Sequence, residues 1–115
     1  MKFKDYTEQL TRRSFENKND KYGIDPMTIL TVVSIIMRLV SLIMKWYQNR
    51  HEASRSIKRL GFFQKMFLWR YAKKEAKDKE HAKYLYSSVE DLVYSLSEKE
   101  RFKLFSLYEG ENHEI

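Results

Sequence analysis

The stretch from Asp25 to Tyr47, DPMTILTVVSIIMRLVSLIMKWY, constrains the fold of this chain more than any other part of it. Asp25 suits a helix N-cap, because its carboxylate accepts from the free amides of a first turn, and Pro26 suits the first helical position. No glycine or proline follows until Gly61, so the sequence predicts one long helix over about residues 26–60. Within it Ile29, Val32, Ile36, Leu39, Ile43 and Trp46 alternate steps of three and four, and the rhythm continues through Arg50, Ala53, Ile57 and Leu60. That is a heptad seam with Arg50 as its single exception. A second stripe follows Leu30, Val33, Met37, Val40, Met44 and Tyr47. The remaining face is a narrow polar strip of Thr31, Ser34, Arg38, Ser41, Lys45 and Gln48.

Two readings of this stem compete. Met27 to Met44 is 18 residues long, close to the ~20 needed to cross a bilayer core. Lys45, Trp46, Tyr47 and Arg50 follow it as basic and aromatic interfacial anchors would. Against a span stands Arg38. The stem's Leu, Ile and Val residues contribute roughly −4.5 kcal/mol to insertion, and a central arginine costs about +3 kcal/mol. With Thr28, Thr31, Ser34 and Ser41 also unfavourable, a span is marginal. The seam favours the other reading. A lipid-facing helix has no need of a heptad pattern, and this one outlasts the apolar stretch. The stem is therefore expected to associate with copies of itself or with a larger assembly through Ile29, Val32, Ile36, Leu39, Ile43 and Trp46, leaving Ser34, Arg38 and Ser41 as a polar strip.

The rest of the chain also reads as helix. Its 115 residues include one proline and three glycines, which disfavours turn-rich β structure, and the length suits a single helical domain. Phe3, Tyr6 and Leu10 mark a short amphipathic helix, followed by a polar loop through residues 16–25. After Gly61 a second, basic and aromatic helix is expected over about residues 62–85, with its aromatic first half buried. Ser87 with Glu90 and Ser97 with Glu100 each match a capping box, which predicts two short helices over residues 87–115, the last stopping at Gly110. The organisation expected is thus 1–24, 25–60, 61–86 and 87–115 within one all-α domain.

Charge divides along the chain. Residues 45–83 carry 12 Lys or Arg and four Asp or Glu, for +8, whereas residues 84–115 carry three and seven, for −4. Lys58, Arg59, Lys65, Arg70, Lys73, Lys74 and Lys77 are interleaved with Phe62, Phe63, Phe67, Trp69 and Tyr71. Exposed aromatics among lysines can stack on bases while the lysines follow a phosphate backbone, and a basic middle also suits lipid head groups or an acidic protein face. The plainer reading makes the aromatics core and the lysines a solvated face.

Catalytic and metal chemistry find no foothold. Cysteine is absent, which removes disulfide scaffolds and thiolate sites. His51, His81 and His113 lack partners at ligand spacing, and the isolated glycines form no phosphate loop. No enzyme, cofactor or small-molecule substrate is expected. The N-terminal residues have no apolar run, so no cleavable signal is expected there.

The segment LVYSLSEKERFKLFSLYEGENHEI resembles the first helix of the helix-turn-helix in sigma-factor region 4, with Leu96, Glu100, Arg101, Tyr108, Glu109, Gly110, Glu114 and Ile115 at matching places. No recognition helix follows in this sequence, so major-groove reading is not expected, and the same residues read as helix capping. The expected object is a small, all-α, non-enzymatic assembly subunit. It would be cytoplasmic or virion-internal, and its size and lysine-rich, cysteine-free composition suit a bacteriophage virion component. The alternatives are a membrane-inserting or membrane-anchored protein using residues 27–47, and a nucleic-acid-associated basic protein.

Overall fold

The computed structural model describes residues 1–16, 25–47 and 49–112, and these contain six helices and no strand. They are α1 (Phe3–Glu16), α2 (Pro26–Tyr47), α3 (Arg50–Ser56), α4 (Phe62–Glu75), α5 (Lys79–Ser95) and α6 (Glu98–Asn112). Most of the polar loop (residues 17–24), Gln48, His113, Glu114 and Ile115 lie outside the described residues.

Helix starts follow local capping chemistry. Asp25 accepts from the Met27 amide at 3.2 Å and from the Thr28 hydroxyl at 3.4 Å, so α2 begins where the sequence placed it. The long helix expected over 26–60 is in fact two. Asn49 adopts an extended backbone and its side chain accepts from the His51 amide at 2.8 Å, which makes it the N-cap of α3 and ends the run at Tyr47. The helix expected over 62–85 divides in the same way at Asp78. The Asp78 carboxylate accepts from the His81 amide at 2.7 Å, and the His81 ring accepts from the Lys77 amide at 3.1 Å. In both cases a short polar side chain offers the backbone an alternative to continued helix.

The two expected capping boxes fare differently. Ser97 and Glu100 satisfy each other's amides at 3.2 and 3.0 Å and open α6. Ser87 lies inside α5 and starts nothing, because Asp78 has already begun that helix nine residues earlier. Gly110, expected as a stop, lies within α6, whose last described helical residue is Asn112.

α2 is the central element, and α1, α3, α4, α5 and α6 all pack on it. Nine of its side chains are buried, among them Ile29, Val32, Ile36, Leu39 and Ile43 at 0–1% exposure. The seam continues along α3 through the buried Ala53 and Ile57. It therefore closes within the chain: the aliphatic residues expected to meet another copy instead meet Phe3, Tyr6, Leu10, Leu68, Leu85 and Leu104 in one core. Arg50, the one charged seam residue, turns outward to Glu109 at 2.5 Å and lies over the Phe102 ring at 5.4 Å, which ties α3 to α6.

Polar contacts fasten the outer helices. The Phe3 amide donates to the Glu111 carboxylate, and Arg13 forms a two-pronged ion pair with Glu100, one prong at 3.1 Å. The hydrogen bond from Arg13 lowers the Glu100 carboxyl from 4.5 to about 2, with the Ser97 amide and hydroxyl helping and partial burial opposing.

Two outcomes follow. Ile36→Ala should lower the unfolding free energy by about 2–5 kcal/mol, whereas Leu30→Ala, on the half-exposed side of α2, should cost well under ~2 kcal/mol. Urea denaturation measures both, and equal losses would contradict the assignment of faces. Because the folded-state pKa of Glu100 is depressed, the stability it adds is complete above pH 4.5 and is lost as the pH falls towards about 2. Glu100→Gln should lower the melting temperature at neutral pH and flatten that part of the acid limb; an unaltered limb would contradict the pairing.

Candidate functional site

α4 carries five aromatic residues, Phe62, Phe63, Phe67, Trp69 and Tyr71, yet it buries only Gln64, Leu68 and Ala72. These lie four apart, on one line along the helix, and they are all the core accepts from it. The aromatic residues expected to be buried are therefore displaced to the flanks. Phe67 meets Trp46 edge-on at 6.1 Å, and Trp69 meets Tyr86 at 5.9 Å, so each is held against a neighbouring helix. Phe62 and Phe63 find no such cover and remain 77% and 62% exposed.

Local hydrogen bonding fixes where those two rings stand. The Gly61 amide donates to the Gln64 side-chain oxygen at 2.9 Å, and the Gln64 amide group donates to the Ser56 hydroxyl at 2.8 Å. The buried Gln64 thus clamps the turn between α3 and α4, and the first residues of α4 project from its end. Phe62 and Phe63 pack edge to face at 5.5 Å and share a cleft of ≈ 310 Å³ with Trp46, Tyr47 and Arg59. Trp46 was expected in the buried seam; it is 45% exposed and belongs to this edge. Lys45 precedes it on α2, Lys58 and Arg59 lie in the turn, and Lys65 is one turn into α4, all exposed. Trp46, Tyr47, Phe62 and Phe63 thus form one aromatic edge with Arg59 in its cleft.

The other expected basic contacts are exposed too, but they divide. Arg70 lies over the Phe67 ring at 5.4 Å. Lys73 and Lys74 stand towards the far end of α4, roughly 12–14 Å from Lys65 by helical rise, and Lys77 lies just beyond that helix. Lys73 and Lys77 line a separate cavity beside Trp69.

The polar strip of α2 has its own setting. Ser34, Arg38 and Ser41 line an open groove of ≈ 720 Å³ between α1 and α4, together with Leu30, Val33, Met37 and Leu42. Arg38 pairs with Glu75 at 3.1 Å and its guanidinium lies 6.0 Å from the centre of the Tyr71 ring, so α4 supplies one wall. Ser41 shares a hydrogen bond of 3.0 Å with the Tyr108 hydroxyl. Lys4 and Lys45 complete the rim.

His51 and His81 take structural places: His51 stacks on Phe102 at 4.6 Å, and His81 closes the start of α5. No group of three His, Asp or Glu suited to a metal occurs among the described residues. Sequence reasoning missed Lys4 and Tyr71 as groove residues, and it misplaced Phe62 and Phe63. A signal for the latter existed: neighbours on a helix point about 100° apart, so two adjacent aromatics at the first positions of α4 cannot both share its narrow core line.

α2 is long and apolar enough to cross a membrane by length and composition, and half of its most apolar window is buried inside the fold. No protein-family model matches the chain, and no curated protein or solved structure matches it significantly.

Proposed function

We propose that this chain is a non-enzymatic docking protein that attaches to an anionic lipid surface through the edge formed by the end of α2, the α3–α4 turn and the start of α4. The observation that carries this reading is the pair Phe62 and Phe63, exposed side by side at a clamped helix start. A contiguous exposed apolar patch on a folded domain marks a contact site. Trp46 and Tyr47 beside the pair have the apolar body and polar tip that suit the head-group layer.

Magnitudes favour a two-part attachment. Full burial of a Phe side chain gives about 1.5–3 kcal/mol, and each Lys or Arg near an anionic surface adds about 1 kcal/mol. Neither contribution dominates, so both are needed. Insertion of α2 itself is a less economical route, because its nine buried side chains would first have to leave the core. The rival partner is nucleic acid, which the same cations suit. Phe62 and Phe63 meet edge to face at 79°, so they offer no parallel platform for successive bases. An assembly role through the aliphatic seam loses its surface, since that seam is internal.

Sedimentation with vesicles tests the reading. The protein should bind vesicles containing phosphatidylserine, bind phosphatidylcholine vesicles at least tenfold less, and lose much of its binding at high salt. Phe62→Ala with Phe63→Ala should weaken binding by tenfold or more at unchanged stability, since both rings are exposed. Equal binding by the double variant, or preference for single-stranded DNA over vesicles, would overturn it.

A further inference from the structure

The groove on α2 is a second site, separate from the aromatic edge, and its lining is graded along the helix. Leu30, Val33 and Ser34 line one end, which carries no charge, whereas Arg38, Ser41, Leu42 and Lys45 line the other, which carries two cations. Lys4 belongs to the cationic end. Phe3 packs on Tyr108 at 5.4 Å and Ser41 bonds to the same residue, so the first turn of α1 stands level with Ser41. Glu75, already engaged by Arg38, stands against these cations.

We propose that this groove binds one long-chain carboxylate, of the fatty-acid class, with its head group at Lys4, Arg38 and Lys45 and its chain along Met37 and Val33 towards Leu30. Charge selects the ligand. Lys4, Arg38 and Lys45 all line a groove whose floor is otherwise mostly Leu, Val and Met, and a carboxylate accepts charge-assisted bonds from cations of this kind. Size selects it too. The volume of ≈ 720 Å³ falls within the ~300–1,000 Å³ of small-molecule sites. Two turns of a partner helix with side chains occupy about 1,000 Å³, so a helix would lie on the rim without reaching the floor. The helix rises roughly 12 Å from Leu30 to Arg38 and roughly 22 Å from Leu30 to Lys45, and an acyl chain held at those cations has that range in which to reach Leu30. Ser41 adds no unmet polar group to the floor, because Tyr108 already satisfies it. Glu75 already holds the Arg38 guanidinium at 3.1 Å, so an incoming carboxylate competes with it for the same group.

Groove binding and surface docking are separable by experiment. Sodium dodecanoate is titrated calorimetrically into the full chain below its micellar concentration, in parallel with dodecanol and dodecyltrimethylammonium. Dodecanoate should bind one per chain, and the neutral and cationic analogues at least tenfold more weakly. Lys4→Ala with Lys45→Ala should cost about tenfold or more in affinity, since charge-assisted bonds are the stronger kind. Ser34→Trp, which fills the groove and leaves every cation in place, should abolish binding. Glu75→Gln should tighten binding by releasing Arg38. Phe62→Ala with Phe63→Ala should leave dodecanoate affinity unchanged; loss of it there would place the ligand at the aromatic edge and overturn the assignment. Absence of dodecanoate binding, equal binding of the cationic analogue, or unaltered binding by a folded Ser34→Trp protein would each overturn it as well.

Discussion

The aliphatic face of α2 must leave water, and no single neighbouring helix is wide enough to cover it. The two stripes of the stem together span more of the helix than a coiled-coil seam does. The chain meets that demand by wrapping α1, α3, α4, α5 and α6 around one 22-residue helix. Every other placement follows. α3 continues the seam through Ala53 and Ile57, α4 adds the Leu68 and Ala72 line, and α5 and α6 close the far side with Leu85, Leu92, Leu104 and Phe105. Side chains at 0% exposure are each worth about 1.5–3 kcal/mol relative to the solvated state, so the wrapping is strongly driven.

What the core leaves uncovered is where the proposed activity resides. One side of α2 keeps its apolar residues but receives only α1 and α4 as walls, which leaves the groove with its cationic end. α4 contributes a single line of residues to the core and has aromatic surface left over, which produces the Phe62–Phe63 edge. The same helix that reads as a membrane span on hydropathy is thus proposed to act through its margins: the groove along its flank, and the aromatic and basic groups at its C-terminal end. The two sites adjoin at Lys45 and Trp46, consecutive residues facing the groove and the edge respectively.

Much of the helical content was legible because it depends on local chemistry. Asp25 with Pro26 and Ser97 with Glu100 place helix starts by side-chain bonds to neighbouring amides, and these occur as read. Asn49 and Asp78 exert the same kind of control. They were overlooked because they interrupt otherwise continuous helical patterns, and a pattern carries no record of a break that preserves its phase. The identity of the α2 face was legible, but the partner that covers it was not. Heptad spacing states which residues need burial and is silent on whether the cover comes from the same chain. The polar strip of Ser34, Arg38 and Ser41 was legible as a group; its role as a groove floor depends on Lys4 and Tyr71, which tertiary packing alone brings to it.

The internal closure of the α2 seam is the claim on which both proposed sites depend, and hydrogen exchange tests it most directly. Backbone amides of residues 29–43 are followed by mass spectrometry in the free protein and with phosphatidylserine vesicles. If the seam is internal, these amides exchange only through global unfolding in both states, and vesicles slow exchange around residues 45–65 alone. Contradiction would come from vesicles that leave α2 protected while α5 and α6 lose protection, because α2 would then have exchanged its own helices for the bilayer.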